Sequence, residues 1–307
     1  MFRTLTEERQ GEVIIGGGII IWALFPVLTK VSTNAAPAVL AAGISTFIAA
    51  FLFAGVLTIR GQWSELRVRE AWIPIAVSIL LIGVGYHLLL FWGIQRSTPN
   101  TAAIIMLTEA LISAVLLRLL GKERLTRSQI IGGFFIILGA AIVLFPGELR
   151  FRGGEGALLA AQFFPPLGNY AMQRARILVS SNTILFLRSL ASGGFMMILA
   201  AIYTPAAFGA LTGHDLMILL INGFIALGLC KVLWLEGIHR IPISKAAAMG
   251  AAAPLFTMIY SYFFIGEVPT YAQLYGLPFV MIGLFWLTRP AAIVLDEQIP
   301  SHPDEDG

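Results

Sequence analysis

Long apolar runs separated by short polar breaks recur ten times along the 307 residues. They lie at about 12–32, 36–59, 72–95, 100–120, 129–146, 156–175, 182–204, 215–236, 243–265 and 270–289. Most are near the roughly 20 residues that an α-helix needs to cross a bilayer. Pro146 and the pair Pro165-Pro166 interrupt the fifth and sixth runs. The pattern predicts an all-α integral membrane protein with ten transmembrane helices. The first run is too long for the apolar core of a signal peptide, and Lys30 and Ala36-Pro37 make a poor cleavage site. It is therefore expected to be a retained span.

Composition agrees with the pattern. Hydrophobic residues make up 58% of the chain and charged residues 12%, about half the charged fraction of a soluble domain. One soluble core could not hide that much apolar surface. The only cysteine, Cys230, lies in the eighth run, so there is no disulfide framework. A small packing role suits it.

Basic residues set an expected orientation. With the N-terminus cytoplasmic, the inner segments hold Arg3, Arg9, Arg60, Arg67, Arg69, Lys122, Arg124, Arg127, Arg174, Arg176, Arg240 and Arg289. The outer loops hold only Arg96, Arg150 and Arg152. Both termini are then cytoplasmic. The formal +3 charge reflects topology rather than nucleic-acid binding. The stretch "LDEQIPSHPDEDG" reads as an acidic, disordered cytoplasmic tail.

The chain also repeats itself. "GIQRSTPNTAA" opens at Gly93 and "GIHRIPISKAA" at Gly237, 144 residues later. Gly93–Gly139 aligns with Gly237–Gly283 without a gap, and 12 of the 47 pairs are identical, including Arg96/Arg240, Glu123/Glu267, Thr126/Thr270 and Gln129/Gln273. A weaker pairing of "FPVL" at Phe25 with "FPPL" at Phe164 needs an offset of 139. The expected organisation is an N-terminal segment 1–11, a first repeat 12–146, a linker 147–155, a second repeat 156–289 and the tail 290–307. Five spans per repeat is an odd number, so the second copy enters the membrane upside down. Inverted repeats place a binding site near the midplane, and the halves rock around it. The alternative is a duplication kept for packing symmetry alone.

These segments resemble a known family. "GIQRSTPNTAAIIMLTEALISAVLLRLLGKERLT" followed by "GGFFIILGAAIVL", and "YSYFFIGEVPTYAQLYGLPFVMIGLFWL" in the second copy, are similar to the EamA domain of the drug/metabolite transporter superfamily. "GKERLT" and "IGEVPT" are the most recognisable pieces, and the resemblance covers about residues 12–290. Within the superfamily the chain is most similar to the YddG-type exporters of aromatic amino acids. That resemblance implies a ten-helix basket around a central cavity, working as an exporter.

Ionisable groups at membrane depth are functional candidates by default. Glu109 sits near the middle of the fourth span, where it could carry a proton or bind an amine; a hydrogen-bonded acid packed between helices is the plainer alternative. His87 and Lys231 are related by the 144 offset and could pass a carboxylate between halves. Alternatively they bind backbone carbonyls, or Lys231 snorkels towards the cytoplasm. Lys30, Lys245, Glu12, Asp215 and Glu236 lie towards span ends, and Arg188, about two turns inside the seventh span, could reach the headgroups; all read as topology residues. Pro165, Pro166 and Pro254 fall inside spans, where each removes a helical hydrogen bond and leaves carbonyls free for a ligand, or makes a hinge. Asn169 adds a donor and an acceptor nearby. Trp22, Tyr86 and Trp234 could stack on an aromatic cargo.

No H-E-x-x-H, paired intramembrane Asp, G-x-S-x-G, His/Cys cluster or ATP-binding loop occurs. An integral-membrane enzyme, a metal or another cofactor therefore finds no support in the motifs, and singular, asymmetric polar groups do not suit a channel. The expected function is secondary export of amino acids, aromatic or apolar ones favoured, with protons as a possible second partner. Carriage of another small metabolite or drug, such as a sugar phosphate, nucleotide sugar or organic cation, is the alternative. Oligomeric state is not legible.

Overall fold

A computed structural model describes residues 6–119, 126–145, 153–241 and 243–288. Pro146, most of the linker and the acidic tail lie outside the described residues. Among those described, every regular element is helical. Among the described residues seven helical rods, two of them broken by a turn, are long and apolar enough to cross a membrane: Glu7–Ala35, Ala38–Arg60, Arg69–Arg96, Pro99–Leu116, Arg127–Leu144, Ser181–Tyr203 and Gly213–Ile238. Ala253–Ile265 and Tyr271–Leu287 are shorter apolar helices. The sixth apolar run folds as two short helices, Glu155–Ala161 and Phe164–Ala175.

In chain order the elements are α1 (Glu7–Trp22), α2 (Phe25–Ala35), α3 (Ala38–Arg60), α4 (Trp72–Ser78), a π-helical segment (Ile79–Tyr86), α5 (His87–Arg96), α6 (Pro99–Met106), α7 (Glu109–Leu119) and α8 (Arg127–Leu144). They continue as α9 (Glu155–Ala161), α10 (Phe164–Ala175), α11 (Ser181–Tyr203), α12 (Ala206–Ala210), α13 (Gly213–Ile221), a second π segment (Asn222–Leu229), α14 (Cys230–Ile238), α15 (Ile243–Gly250), α16 (Ala253–Ile265) and α17 (Tyr271–Leu287).

The breaks repeat with the sequence. Turns at Ala23–Leu24 and Gln162–Phe163 each precede a Phe-Pro pair that starts the next helix. Turns at Leu107–Thr108 and Ala251–Ala252 are related by the 144 offset. The π segments occupy matching places just before His87 and Cys230. The three prolines singled out from sequence therefore do not interrupt helix interiors. Pro165, Pro166 and Pro254 sit in the first turns of α10 and α16, where a missing N–H costs least. Being proline, they still leave the carbonyls of Ala161, Gln162 and Gly250 without an amide four residues on.

Packing carries the same two-fold relation. The helices α8 and α17 lie along each other, as do α3 and α11. A Cβ on Gly132 would fall 2.6 Å from the Gly283 carbonyl, and one on Gly139 would fall 2.6 Å from the Gly276 carbonyl. As the number rises on α8 it falls on α17, so the helices are antiparallel. Gly132 and Gly276, and Gly139 and Gly283, are each 144 apart, so each contact maps onto the other. Small residues here allow backbones to meet without intervening side chains. Gly93 against Leu158 and Gly237 against Ile15 form a second matched pair.

Polar groups close the two ends. At one end Lys245 bridges Glu8 and Glu12, both at 2.6 Å, while Glu236 accepts from Arg60 at 3.1 Å and pairs with Arg240 at 2.8 Å. At the other, Gln273 donates to Thr98 and Thr101, and Ser97 donates to Glu155. Lys30 does not snorkel. Its Nζ donates to the carbonyls of Ile94, Gln95 and Ser97 at 3.2, 2.8 and 2.8 Å, satisfying the C-terminal end of α5. Asp215 is the capping partner of Thr212 at the start of α13.

Candidate cargo cavity

The two halves enclose a cavity whose walls come from both. Trp22 closes it from the end of α1; Thr46, Ala49 and Phe53 line it from α3; Ile82 and Tyr86 come from the first π segment, and His87 opens α5. From the second half, α11 contributes Arg188, Ser189 and Ser192, the second π segment contributes Leu227, and α14 contributes Lys231. Its volume is about 50 Å³, room for a few water molecules.

The π segments explain why these side chains converge. A π turn adds one residue per turn and rotates everything after it, and such turns are frequent at functional sites. Both segments carry glycines at close contacts: a Cβ on Gly83 would lie 2.7 Å from that of Ser192. His87 and Lys231, the related pair, follow directly and face one cavity. Their placement at symmetry-related positions agrees with the repeat.

Each group has distinct partners. His87 is buried, and its Nδ1 lies 2.7 Å from the Ile82 carbonyl and 3.2 Å from that of Gly83. Carbonyls only accept, so Nδ1 carries the hydrogen. His87 therefore does bind backbone carbonyls. Its ring also meets Tyr86 edge-on at 5.3 Å. Lys231 does not snorkel: its Nζ lies 4.3 Å from the centroid of Trp22, a cation–π geometry. Trp22 is in turn stacked on Phe25 at 4.7 Å. Glu109 opens α7 and does not line the cavity, but it lies within electrostatic reach of Lys231 and Tyr86. It has no ion pair among the described residues.

Besides Glu109, other sequence expectations differ from where the structure places the residues. Asn169 is exposed on α10 and does not line the cavity. Trp234 is half-buried against an apolar cluster around Ile15, Ile19 and Ile241, which Trp22 also joins, and does not line the cavity. Asn169 is turned outwards on α10, whereas Trp234 sits about one turn beyond Lys231 on the same side of α14 and so falls past the cavity. Arg188, taken as a topology residue reaching the headgroups, is 9% exposed and faces the cavity. Its position two turns inside the seventh span was the available signal; which way the helix turned it was not. The prolines do not line the cavity either.

A membrane-embedded helical bundle with a two-fold internal repeat and a polar, aromatic cavity between its halves is the architecture of a membrane carrier. The chain belongs to the EamA-like transporter family, which matches it twice, over residues 9–145 and 154–289, and so to the drug/metabolite transporter superfamily. Among curated proteins it is similar to the uncharacterized transporter YyaM of Bacillus subtilis, at 24% identity over 68% of this chain and 72% of that protein. It is also similar to a probable terminal-alkyne amino-acid exporter of Streptantibioticus cattleyicolor, at 24% identity over 88% of this chain and 93% of that protein. A solved crystal structure shares the fold with a TM-score of 0.67 and 18% identity, covering 91% of this chain and 96% of that one. The protein is a transporter with membrane-spanning helices.

Proposed function

We propose that this transporter exports amino acids, aromatic or apolar ones favoured, across a bacterial-type inner membrane by alternating access. In this reading the chain has ten spans, with the short apolar helices and the α9–α10 pair completing two inverted repeats, 12–146 and 156–289. Both termini are cytoplasmic. The observation that carries the proposal is the cavity itself: aromatic Trp22 and Tyr86 stand beside cationic groups, an arrangement suited to a ring and a carboxylate. The similarity to a probable amino-acid exporter supports the substrate class, and the resemblance to aromatic exporters supports the direction. A cavity with room for a few waters cannot hold an amino acid, so loading requires the halves to part. Glu109, in reach of Lys231, is the proposed proton carrier or amine partner.

A second reading, carriage of an anionic metabolite, gains from Arg188. With a guanidinium and an amine, Arg188 and Lys231, lining one cavity, phosphorylated or multiply anionic cargo is better accommodated than the sequence suggested.

The test uses purified protein in sealed liposomes. Uptake of labelled phenylalanine should saturate, accelerate when unlabelled amino acid is trapped inside, and be absent from protein-free liposomes. Glu109→Gln should abolish the response to an imposed pH difference. If no amino acid enters while a phosphorylated metabolite does, the second reading replaces the first.

A further inference from the structure

We propose that Arg188 is the anion-recognition residue of the cavity: its guanidinium takes the carboxylate of the cargo. Lys231 belongs instead to the protein's own charge balance, seated on the face of Trp22 with Glu109 within electrostatic reach. The proposal deepens the carrier reading above and rests on this cavity being the cargo site.

The other interior or semi-interior cations described are already satisfied. Lys30 caps three carbonyls, Lys245 holds two carboxylates, and Arg240 pairs with Glu236. Lys231 sits on an aromatic face within reach of a carboxylate. Arg188 differs. It is buried two turns inside α11, yet the one hydrogen bond of its guanidinium among the described residues is a 3.8 Å contact from Nη1 to the thioether of Met172. A thioether is a weak acceptor, and a guanidinium has five N–H donors in a planar fork. No carboxylate pairs with it among the described residues.

A buried, unpaired charge is costly, and the surroundings look built to keep it. Gly83 leaves room for its stem: a Cβ there would lie 3.2 Å from Arg188 Cγ. The carbonyl of Arg188 is occupied by Ser192 Oγ at 2.5 Å, which fixes the local turn and not the guanidinium. On the adjacent helix α3, Thr46 lines the same cavity and its Oγ1 is buried with no hydrogen-bond partner among the described residues. A forked cation and an unused hydroxyl on neighbouring helices, both lining one cavity, supply what a carboxylate accepts: two parallel N–H donors and one O–H donor. It follows that recognition turns on the acid group and not the amine. A 2-oxo acid with an apolar side chain should bind as the amino acid does, whereas the corresponding amine without a carboxylate should not.

The experiment measures binding of phenylalanine, phenylpyruvate and phenethylamine to purified full-length protein, by calorimetry and by ligand-induced shifts in thermal unfolding. Wild type, Arg188→Met, Arg188→Lys and Lys231→Met are compared. Both acids should bind wild type, weaken about tenfold or more in Arg188→Met, and recover partway in Arg188→Lys. Ligand-free Arg188→Met should unfold at the wild-type temperature or above, because it removes an unpaired buried charge. A clearly lower unfolding temperature would assign Arg188 a structural role and overturn the proposal. So would acid binding by Arg188→Met within about twofold of wild type, a larger loss in Lys231→Met than in Arg188→Met, or no binding of either acid to wild type. The two claims separate cleanly. Phenylpyruvate binding that needs Arg188, with no phenylalanine transport, leaves the site standing and removes the amino-acid reading. Phenylalanine transport undiminished by Arg188→Met does the reverse.

Discussion

Replacing Gly139 with alanine should loosen the crossing of α8 and α17. The new Cβ would lie 2.6 Å from the Gly276 carbonyl, 2.6 Å from Val280 Cγ2 and 2.8 Å from the Val280 amide nitrogen. That is about 0.9 Å short of the 3.5 Å at which carbon contacts become favourable. Two of the obstacles are backbone atoms, so relief must come from moving a whole helix. Overpacking of this kind costs about 1–3 kcal/mol. The antiparallel two-fold adds a sharper expectation, because Gly276→Ala presses on the same point from the other helix. Once either substitution has parted the helices, the second has less to disrupt, so the double variant should lose less than the sum of the singles. Gly55→Ala and Gly194→Ala serve as controls, since a Cβ at either meets nothing within 4 Å. Both lie inside helices, where alanine is the better helix former. The assay is the temperature at which each purified variant leaves its monodisperse peak. If Gly139→Ala unfolded no earlier than Gly55→Ala, the close antiparallel crossing would be wrong.

Other consequences are as specific. Lys30→Met should destabilise the protein by about 1.5–3 kcal/mol, the usual worth of hydrogen bonds to a charged group, since it strands three carbonyls at the end of α5; thermal unfolding reads it directly. Thr257→Val should cost about 1 kcal/mol by freeing the Ala23 carbonyl, which accepts from Thr257 Oγ1 at 2.9 Å at the break of the first rod; an unchanged unfolding temperature would refute that link. Glu65, in the connection after α3, tests electrostatics away from the bilayer. Burial pushes its carboxyl up, but hydrogen bonds from Thr183 Oγ1 at 2.6 Å and the Ser180 amide at 2.7 Å outweigh it and hold the group below the ordinary carboxylate value. Its stabilisation is therefore present above the unfolded carboxyl's value and lost as pH falls through the lowered folded one. Wild type should exceed Glu65→Gln in unfolding temperature near neutrality, and the gap should close below about pH 4.5; a gap independent of pH would contradict this.

Much of this architecture can be read from the amino-acid order, because depth in a bilayer is a one-dimensional property. The long rods follow the apolar runs, and the 144-residue repeat foretells the paired breaks and the matched glycines of α8 and α17. The Phe-Pro pairs needed an offset of 139 because the stretch that follows them is longer in the second half: α11 begins at Ser181, 17 residues after Phe164, where α3 begins at Ala38, 13 residues after Phe25. Rotation about the helix axis is another matter. Arg188 and Asn169 both have plausible depths, yet only Arg188 reaches the cavity. Which way each turns depends on helix packing and, for the spans before His87 and Lys231, on π segments that no proline announces. Gly83 and Gly223 mark those segments only after the close contacts with Ser192 and the Ser45 carbonyl are seen.

The claim at the centre of the account is that the cavity between the repeats opens to each side of the membrane in turn. Ser189 lines it and is 6% exposed, so a cysteine there reports access once Cys230, buried and free, is replaced by serine. Sealed vesicles of both orientations would be treated with a membrane-impermeant maleimide, with and without phenylalanine. The account predicts labelling from both faces, with phenylalanine altering the balance between them. Labelling from one face alone, unmoved by phenylalanine on either side, would contradict it.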